Sequence, residues 1–512
     1  MSERPSGGYL PTVWDPELIQ SFTPLCTYET DGHRLEELKH ATQLLFKSLT
    51  RPEEKIDMIN KMQRLDVAKH FKKEIKEFLT HLDPNTPTDL FTVTLQFCLL
   101  HQYGFFVGSD VFNKFKNSDG KFKERLSEDP AGLLSLYEAS HLGVHEEDVL
   151  DETKAFSTKH LKLAMDMLEL EKDLAQQSKE SLEARNFINI YQRDENKKLA
   201  LSEFAKLDFN LLQSVYLQEL KELAEWWKRL KMKDKLPFAR DRMVECYFLA
   251  MGSVPDPKFS KCRRNLTKFG SLATILDDFH KCTTAVKMWD LEATVELPEY
   301  MNVCYKAMYN HVNEMVEDAL NTLGLDILPY IKDQWMCYVQ SLHVDYGGYM
   351  PTTLEAYFKN AWISIGIAVG LAYVFLAILE DSNSLNQCEL QLFEQWSSFD
   401  LFYFPSLITR LLDDLTTSNV EMERGETTSS TQCYMIQGVS AEEARDHIKD
   451  LICDSWKKLN KLVAQSSLPT GFAETALAMV RCVQQMYQFG DWFGVQSKAN
   501  KDCQNSSLFN CV

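Results

Sequence analysis

The segment "RLLDDLTTSNVEMERGE" (410–426) sets Asp413, Thr417 and Glu421 four residues apart. At about 100° per residue, each step of four drifts by only about 40°, so on a helix all three face one way. Two carboxylates and a hydroxyl are hard oxygen donors, suited to Mg²⁺ and poorly suited to zinc or copper. Arg410, one turn earlier on nearly that face, can donate to a phosphate bridged by such a metal. A solvated acidic face would share the spacing, but the lone hydroxyl between the acids and the nearby arginine point to a ligand set. "LPFARDRMVECYF" (236–248) supplies Arg240 and Arg242 around Asp241. Their forked donors suit phosphate oxygens, although an isolated pair of this kind is also ordinary surface ion pairing. "TILDDFHK" (274–281) closes an apolar run on Asp277 and Asp278. Two acids turned toward a cavity need a cation to offset their desolvation; exposed acids at a helix end are the alternative.

The elements that must position these groups are helical almost throughout. "RLEELKHATQLLFKSL" (34–49) and "SVYLQELKELAEWWKRL" (214–230) space apolar residues by three and four with charges between. No convincing run of alternating strands appears, and Gly and Pro gather in short connections such as "HLDPNTPTDL" (81–90). A charged stretch, "YQRDENKKLALSEF" (191–204), marks a boundary. The expected fold class is therefore all-α, with domains at 1–205 and 206–512 and the chemistry in the second. "WISIGIAVGLAYVFLAIL" (362–379) is 18 residues without a charge, just long enough to suggest a membrane span. Glu380 and Asp381 follow at once and no basic cluster flanks it. Ser364, Gly366 and Gly370 suit a buried helix that bends or admits a close neighbour, so a core helix is expected and no span.

Composition narrows the class further. A chain of 512 residues with 45% hydrophobic and 11% aromatic content can fill large cores. A net charge of −19 argues against a general nucleic-acid binder, yet local arginines and metal ions can still invert the field of one pocket. The 13 cysteines include no CxxC pair and no zinc-spaced cluster, which fits free thiols in a reducing compartment. "MSERPSGGYLPTVWD" has neither the length nor the character of a leader; a cytoplasmic location is expected, with a start after a removed leader as the alternative.

Taken in order, the RxR pair, the aspartate pair and the DDxxTxxxE segment resemble a class I plant terpene synthase. "FARDRMVECYF", "STQCYM" (430–435), "RPSGGYLPTVWD", "SLYEAS" (135–140) and "LDFNLLQSVYLQEL" (207–220) extend the resemblance over essentially the whole chain. It implies an N-terminal helical barrel-like domain and a C-terminal class I terpenoid synthase bundle holding the active site. It further implies that Asp413, Thr417 and Glu421 hold one Mg²⁺ (Mn²⁺ as the alternative) and that Asp277 with Asp278 holds the others. Arg240, Arg242 and Arg410 would bind the diphosphate, with Asp277 and Asp413 reaching it through the metals. The implied reaction is ionisation of a prenyl diphosphate to an allylic cation, stabilised by aromatic faces. "FGDWFG" (489–494), with Asp491, resembles the segment that completes the cavity, and "GETTSSTQ" (425–432) is a candidate lid.

The resemblance breaks at three places. The family's DDxxD reads "DDFHK" here, so Lys281 stands where the last acid is expected, and the acidic stretch before Trp289–Asp290 is largely absent. If Lys281 points into the site, a like charge about 5 Å from a metal costs several kcal/mol even at an effective dielectric of about 20; pointing outward or contacting the diphosphate are the alternatives, and weaker metal binding with slower turnover is the expectation. The segment 173–187 is also short, and Leu249 replaces a usual tryptophan. For that ring, Tyr373, Phe375 or Trp492 could compensate, a core role being the expectation for each. The leading expectation is a monomeric sesquiterpene synthase on farnesyl diphosphate, resting on the apparent lack of a leader and on Arg4–Pro5. The alternatives are a monoterpene synthase on geranyl diphosphate and a catalytically impaired paralogue.

Overall fold

The computed structural model describes residues 11–83, 89–105, 107–143, 148–167, 184–278, 289–291, 298–346, 351–382, 391, 394–423, 428–466, 468, 470–488, 490–494 and 498–509. Among them there is no strand, only an isolated bridge between Lys116 and Phe122. The all-α expectation holds. The chain divides into two compact units, Pro24–Ser214 with Ser506–Val512, and Met1–Thr23 with Val215–Asn505. The division falls inside the helix Leu199–Leu230.

The first unit is built from helices that begin on side-chain caps. Thr27 and Thr30 form a capping box at Tyr28–Ser48, Asp89 caps Leu90–Gln102, and Asp129 with Pro130 opens Pro130–Ser140. Ile59, Met62, Val67, Phe71, Ile75, Leu99, Phe204 and Leu211 fill one core, and Phe97, Phe112, Leu136 and Ala139 a second.

The second unit carries every candidate group. Its N-terminal segment buries Trp14, whose indole N–H donates to Gln504 Oε1 at 2.8 Å. The helix Ser260–Asp278 is anchored near its start by Arg263, which is 0% exposed. This guanidinium grips Glu219 twice, at 2.9 and 2.6 Å, donates to the carbonyls of Val254 and Pro257, and lies 5.1 Å from the Tyr216 ring. Tyr247 adds a hydroxyl donor to the same Glu219 at 2.9 Å. A charge this deep is tolerated because its donors all meet acceptors. The anchor fixes the start of a helix whose far end is Asp277–Asp278.

The apolar stretch 362–379 is not one helix. Leu354–Ser364 and Ile367–Ser382 meet at a bend of 46°. Gly366 makes the break with φ +79°, and a Cβ there would stand 3.3 Å from the Tyr338 ring, so both conformation and space call for glycine. Ile367 through Leu376 are buried, as expected of a core helix. Among the described residues no single helix is long and apolar enough to cross a membrane. The helices Asp400–Glu423 and Thr470–Gln488 then bring the remaining groups to the site.

Candidate active site

Asp413 sits on Asp400–Glu423, and both of its carboxylate oxygens are engaged. Arg410 Nη1 donates to Oδ2 at 2.9 Å and the Tyr487 hydroxyl donates to Oδ1 at 2.8 Å. Burial pushes the Asp413 carboxyl up, opposed by Arg410 and reinforced by the charges of Asp414 and Asp491, to about 7. Tyr487 is itself raised well above the usual phenol range by burial and by the Asp413 charge, so it remains a neutral donor. Arg410 is braced from behind, with Nε donating to Ala361 O and Nη2 to Ser364 Oγ, both at 3.2 Å. The helix break at Gly366 thus lies beside the residues that orient this guanidinium. Thr417 follows one turn after Asp413, 8% exposed. Its hydroxyl donates to Asp413 O at 2.9 Å, which leaves the oxygen lone pairs for a cation. The Glu421 backbone continues the same helix, while its side chain lies outside the described residues.

Across the unit, Arg240 donates to Asp277 Oδ2 in a short ion pair, 11% and 35% exposed respectively. The Asp278 side chain, His280 and Lys281 lie outside the described residues, as do 425–427 of the expected lid. Asp491 stands on a turn at 490–494 and acts electrostatically on both Arg242 and Asp413. Asp277, Arg240, Arg242, Asp491, Asp413 and Arg410 therefore form a continuous chain of charged neighbours. Arg242 differs from the expected diphosphate donor in one respect: it is 1% exposed and donates through Nε to Phe493 O at 2.7 Å and through Nη1 to Asp241 O at 2.8 Å.

Two residues at this site were not anticipated. Asp414, 1% exposed, accepts from the Tyr357 hydroxyl at 2.9 Å and from Ser430 N at 2.8 Å. It ties the start of Ser430–Met435, and so the later part of the expected lid, to the Asp413 helix. Tyr487 is the other, and its only sequence signal is its place one helical turn before Asp491. Of the aromatic candidates, Tyr373 accepts from Trp335 Nε1 at 2.9 Å within a cluster including Phe269, and Phe375 packs on Phe472. Both are core residues. Trp492 is 2% exposed and packs on Phe248 with ring centroids 5.1 Å apart and planes tilted by 41°, next to Leu249.

The donor set fits a hard divalent cation. Asp413 is raised first by burial, against Arg410 and with the charges of Asp414 and Asp491 adding to it, so it is a desolvated carboxylate that a bound cation would stabilise. Among the described residues no three acids stand close enough to hold a metal alone. Asp413 and Thr417 on one helix and Asp277 on another supply the described part of the expected set.

Comparison with known proteins places this architecture. Residues 228–458 match the metal-binding domain of the terpene synthase family, and residues 13–182 match the terpene synthase N-terminal domain. The chain is 42% identical to probable terpene synthase 9 of Ricinus communis, with 98% of this chain and 89% of the relative covered. It is 39% identical, at the same coverage, to a chloroplastic trans-ocimene synthase of Litsea cubeba. Limonene synthase with 2-fluorolinalyl diphosphate superposes at a TM-score of 0.91, with 31% identity over 100% of both chains. Isoprene synthase from grey poplar, in complex with three Mg²⁺ ions and dimethylallyl-S-thiolodiphosphate, gives 0.88 with 31% identity, covering 98% of this chain and 99% of that one. The chain belongs to the terpene synthase family. It is a lyase acting on a prenyl diphosphate, with Mg²⁺ as its metal cofactor.

Proposed function

We propose that the protein ionises geranyl diphosphate and releases diphosphate and a monoterpene. The observation that carries the choice of substrate is the set of relatives, which are mostly monoterpene synthases, named for ocimene, thujene, geraniol and myrcene. The farnesyl reading rested on the N-terminal segment and on Arg4–Pro5, which carry less weight than relatives aligned over nearly the whole chain. Several of these relatives are described as chloroplastic, so a plastid rather than cytoplasmic site of action goes with this reading.

Asp413, Thr417 and Glu421 would hold one Mg²⁺ and Asp277 with Asp278 the others; when bound, the metal supplies Lewis-acid stabilisation of the leaving diphosphate. Arg240 and Arg410 then donate to the diphosphate oxygens. As the allylic C–O bond breaks, its electron pair leaves with the diphosphate, and the charge-assisted donors stabilise that product more than the ester. Before the substrate arrives these arginines pair with Asp277 and Asp413, so binding exchanges each pair for a carboxylate–metal and an arginine–diphosphate contact. Trp492 and Phe248 pack together beside the turn that carries Asp491; a ring face of this pair that lined the cavity would stabilise a cation without donating a nucleophile.

The test is kcat/KM for geranyl and farnesyl diphosphate measured in parallel with Mg²⁺. A preference of tenfold or more for geranyl diphosphate is expected. An equal preference for farnesyl diphosphate returns the protein to the sesquiterpene class, and folded protein silent with both supports the impaired-paralogue reading.

A further inference from the structure

The turn at 490–494 is held through both backbone groups of one residue, Phe493. Phe493 N–H donates to Asp491 Oδ1 at 2.8 Å, and Phe493 C=O accepts from Arg242 Nε at 2.7 Å. A Cβ on Gly494 would fall 2.0 Å from Asp491 Oδ2, so a side chain there would push the Asp491 carboxylate out of its present place. Trp492, between them, packs at a tilt on Phe248, which lies on the helix that Arg242 precedes. Arg242 is buried, and its second assigned donor also meets a carbonyl, that of Asp241. Its planar fork reaches two carbonyls in fixed directions, which a flexible point donor such as lysine does not reproduce.

We infer that Arg242 is a positioning residue: it fixes the 490–494 turn, and with it the placement of Asp491, and does not itself bind the diphosphate. The two arginines of the RxR pair thus divide the work, Arg240 facing Asp277 and Arg242 facing the turn. The inference rests on the diphosphate-binding reading above. Its mechanical part, the hold on the turn, stands on the hydrogen bonds alone.

The experiment compares Arg242→Leu, Gly494→Ala and Arg240→Leu by three readouts. These are affinity for inorganic diphosphate with Mg²⁺ by calorimetry, hydrogen exchange of a peptide spanning 490–494, and kcat and KM with the prenyl diphosphate turned over. Arg242→Leu and Gly494→Ala are expected to speed exchange in that peptide and lower kcat by about 10–100-fold, as misplacement of about 1 Å does. Both should leave diphosphate affinity within about twofold, whereas Arg240→Leu should weaken it about tenfold or more without touching exchange. Should Arg242→Leu fail to fold, Arg242→Gln and Gly494→Ala carry the same comparison. Weakened diphosphate affinity in the Arg242 variant, with exchange at 490–494 unchanged, overturns the inference. If the parent protein itself binds no diphosphate, the functional reading fails instead. The exchange arm still decides for Arg242, and unchanged exchange there overturns it.

Discussion

Replacing Tyr487 with Phe removes one atom from the site and tests how Asp413 is kept ionised. The Tyr487 hydroxyl donates to Oδ1 at 2.8 Å, while Arg410 serves Oδ2 at 2.9 Å. A hydrogen bond to a charged, buried acceptor is worth about 1.5–3 kcal/mol, and one pKa unit corresponds to about 1.4 kcal/mol. Without the hydroxyl, the carboxyl, already at about 7 in the metal-free protein, should rise by about one to two units. Magnesium needs the carboxylate, so its apparent affinity at neutral pH should fall about tenfold or more. The sign follows from the raised acid: protonation competes with the metal below the carboxyl pKa, so the defect grows as pH falls and shrinks as pH rises. The assay is a Mg²⁺ titration of diphosphate release at pH 6, 7 and 8 for the parent and Tyr487→Phe. A half-saturating Mg²⁺ concentration that is the same for both proteins at all three pH values would refute the reasoning. A uniform loss of turnover without a change in Mg²⁺ demand would assign the hydroxyl to the chemistry instead.

Three other outcomes are expected. His311 is 2% exposed and burial depresses it to about 3 from 6.5. The unfolded chain therefore takes up a proton that the fold refuses, and stability falls as pH drops from 6.5 toward 3. By pH 5 that amounts to about 2 kcal/mol; urea unfolding of His311→Phe should show a shallower acid dependence, and an unchanged slope counts against it. Breaking the buried pair with Arg263→Met should cost about 3–5 kcal/mol in the same assay, and the double variant with Glu219→Gln should cost less than the sum of the two. Lys281→Asp, restoring the missing acid, should lower the Mg²⁺ concentration for half-maximal rate several-fold; an unchanged demand would mean the broken motif does not limit metal binding.

Helical period made the Asp413 and Thr417 face legible from spacing alone, because both lie on one uninterrupted helix. The same reasoning could not give the Arg240–Asp277 pair, which depends on how the loop before Met243–Ser253 meets the end of Ser260–Asp278, nor the Tyr487 hydroxyl, which arrives from another helix. Asp414 was hidden for a related reason. It lies about 100° around the helix from Asp413, so a search for one metal-facing side passes over it, yet Tyr357 and Ser430 converge there. Arg242 shows the limit of residue type: two arginines flanking an aspartate advertise phosphate binding, but only the fold reveals that one of them turns to the Phe493 carbonyl. The bend at Gly366 was anticipated from glycine and serine in an apolar run. Its service to Arg410 through Ala361 and Ser364 was not.

The central claim is that acids on two helices, with Arg240 and Arg410, ionise a prenyl diphosphate in a magnesium-dependent way. The most direct measurement follows diphosphate release and volatile product together from geranyl diphosphate, with Mg²⁺ and with chelator, for the parent, Asp413→Asn and Glu421→Gln. Release and product should rise together in the parent, vanish with chelator, and fall about a hundredfold or more in both variants. Product formation that survives either substitution at the parent's rate, or that persists without a divalent metal, would contradict it.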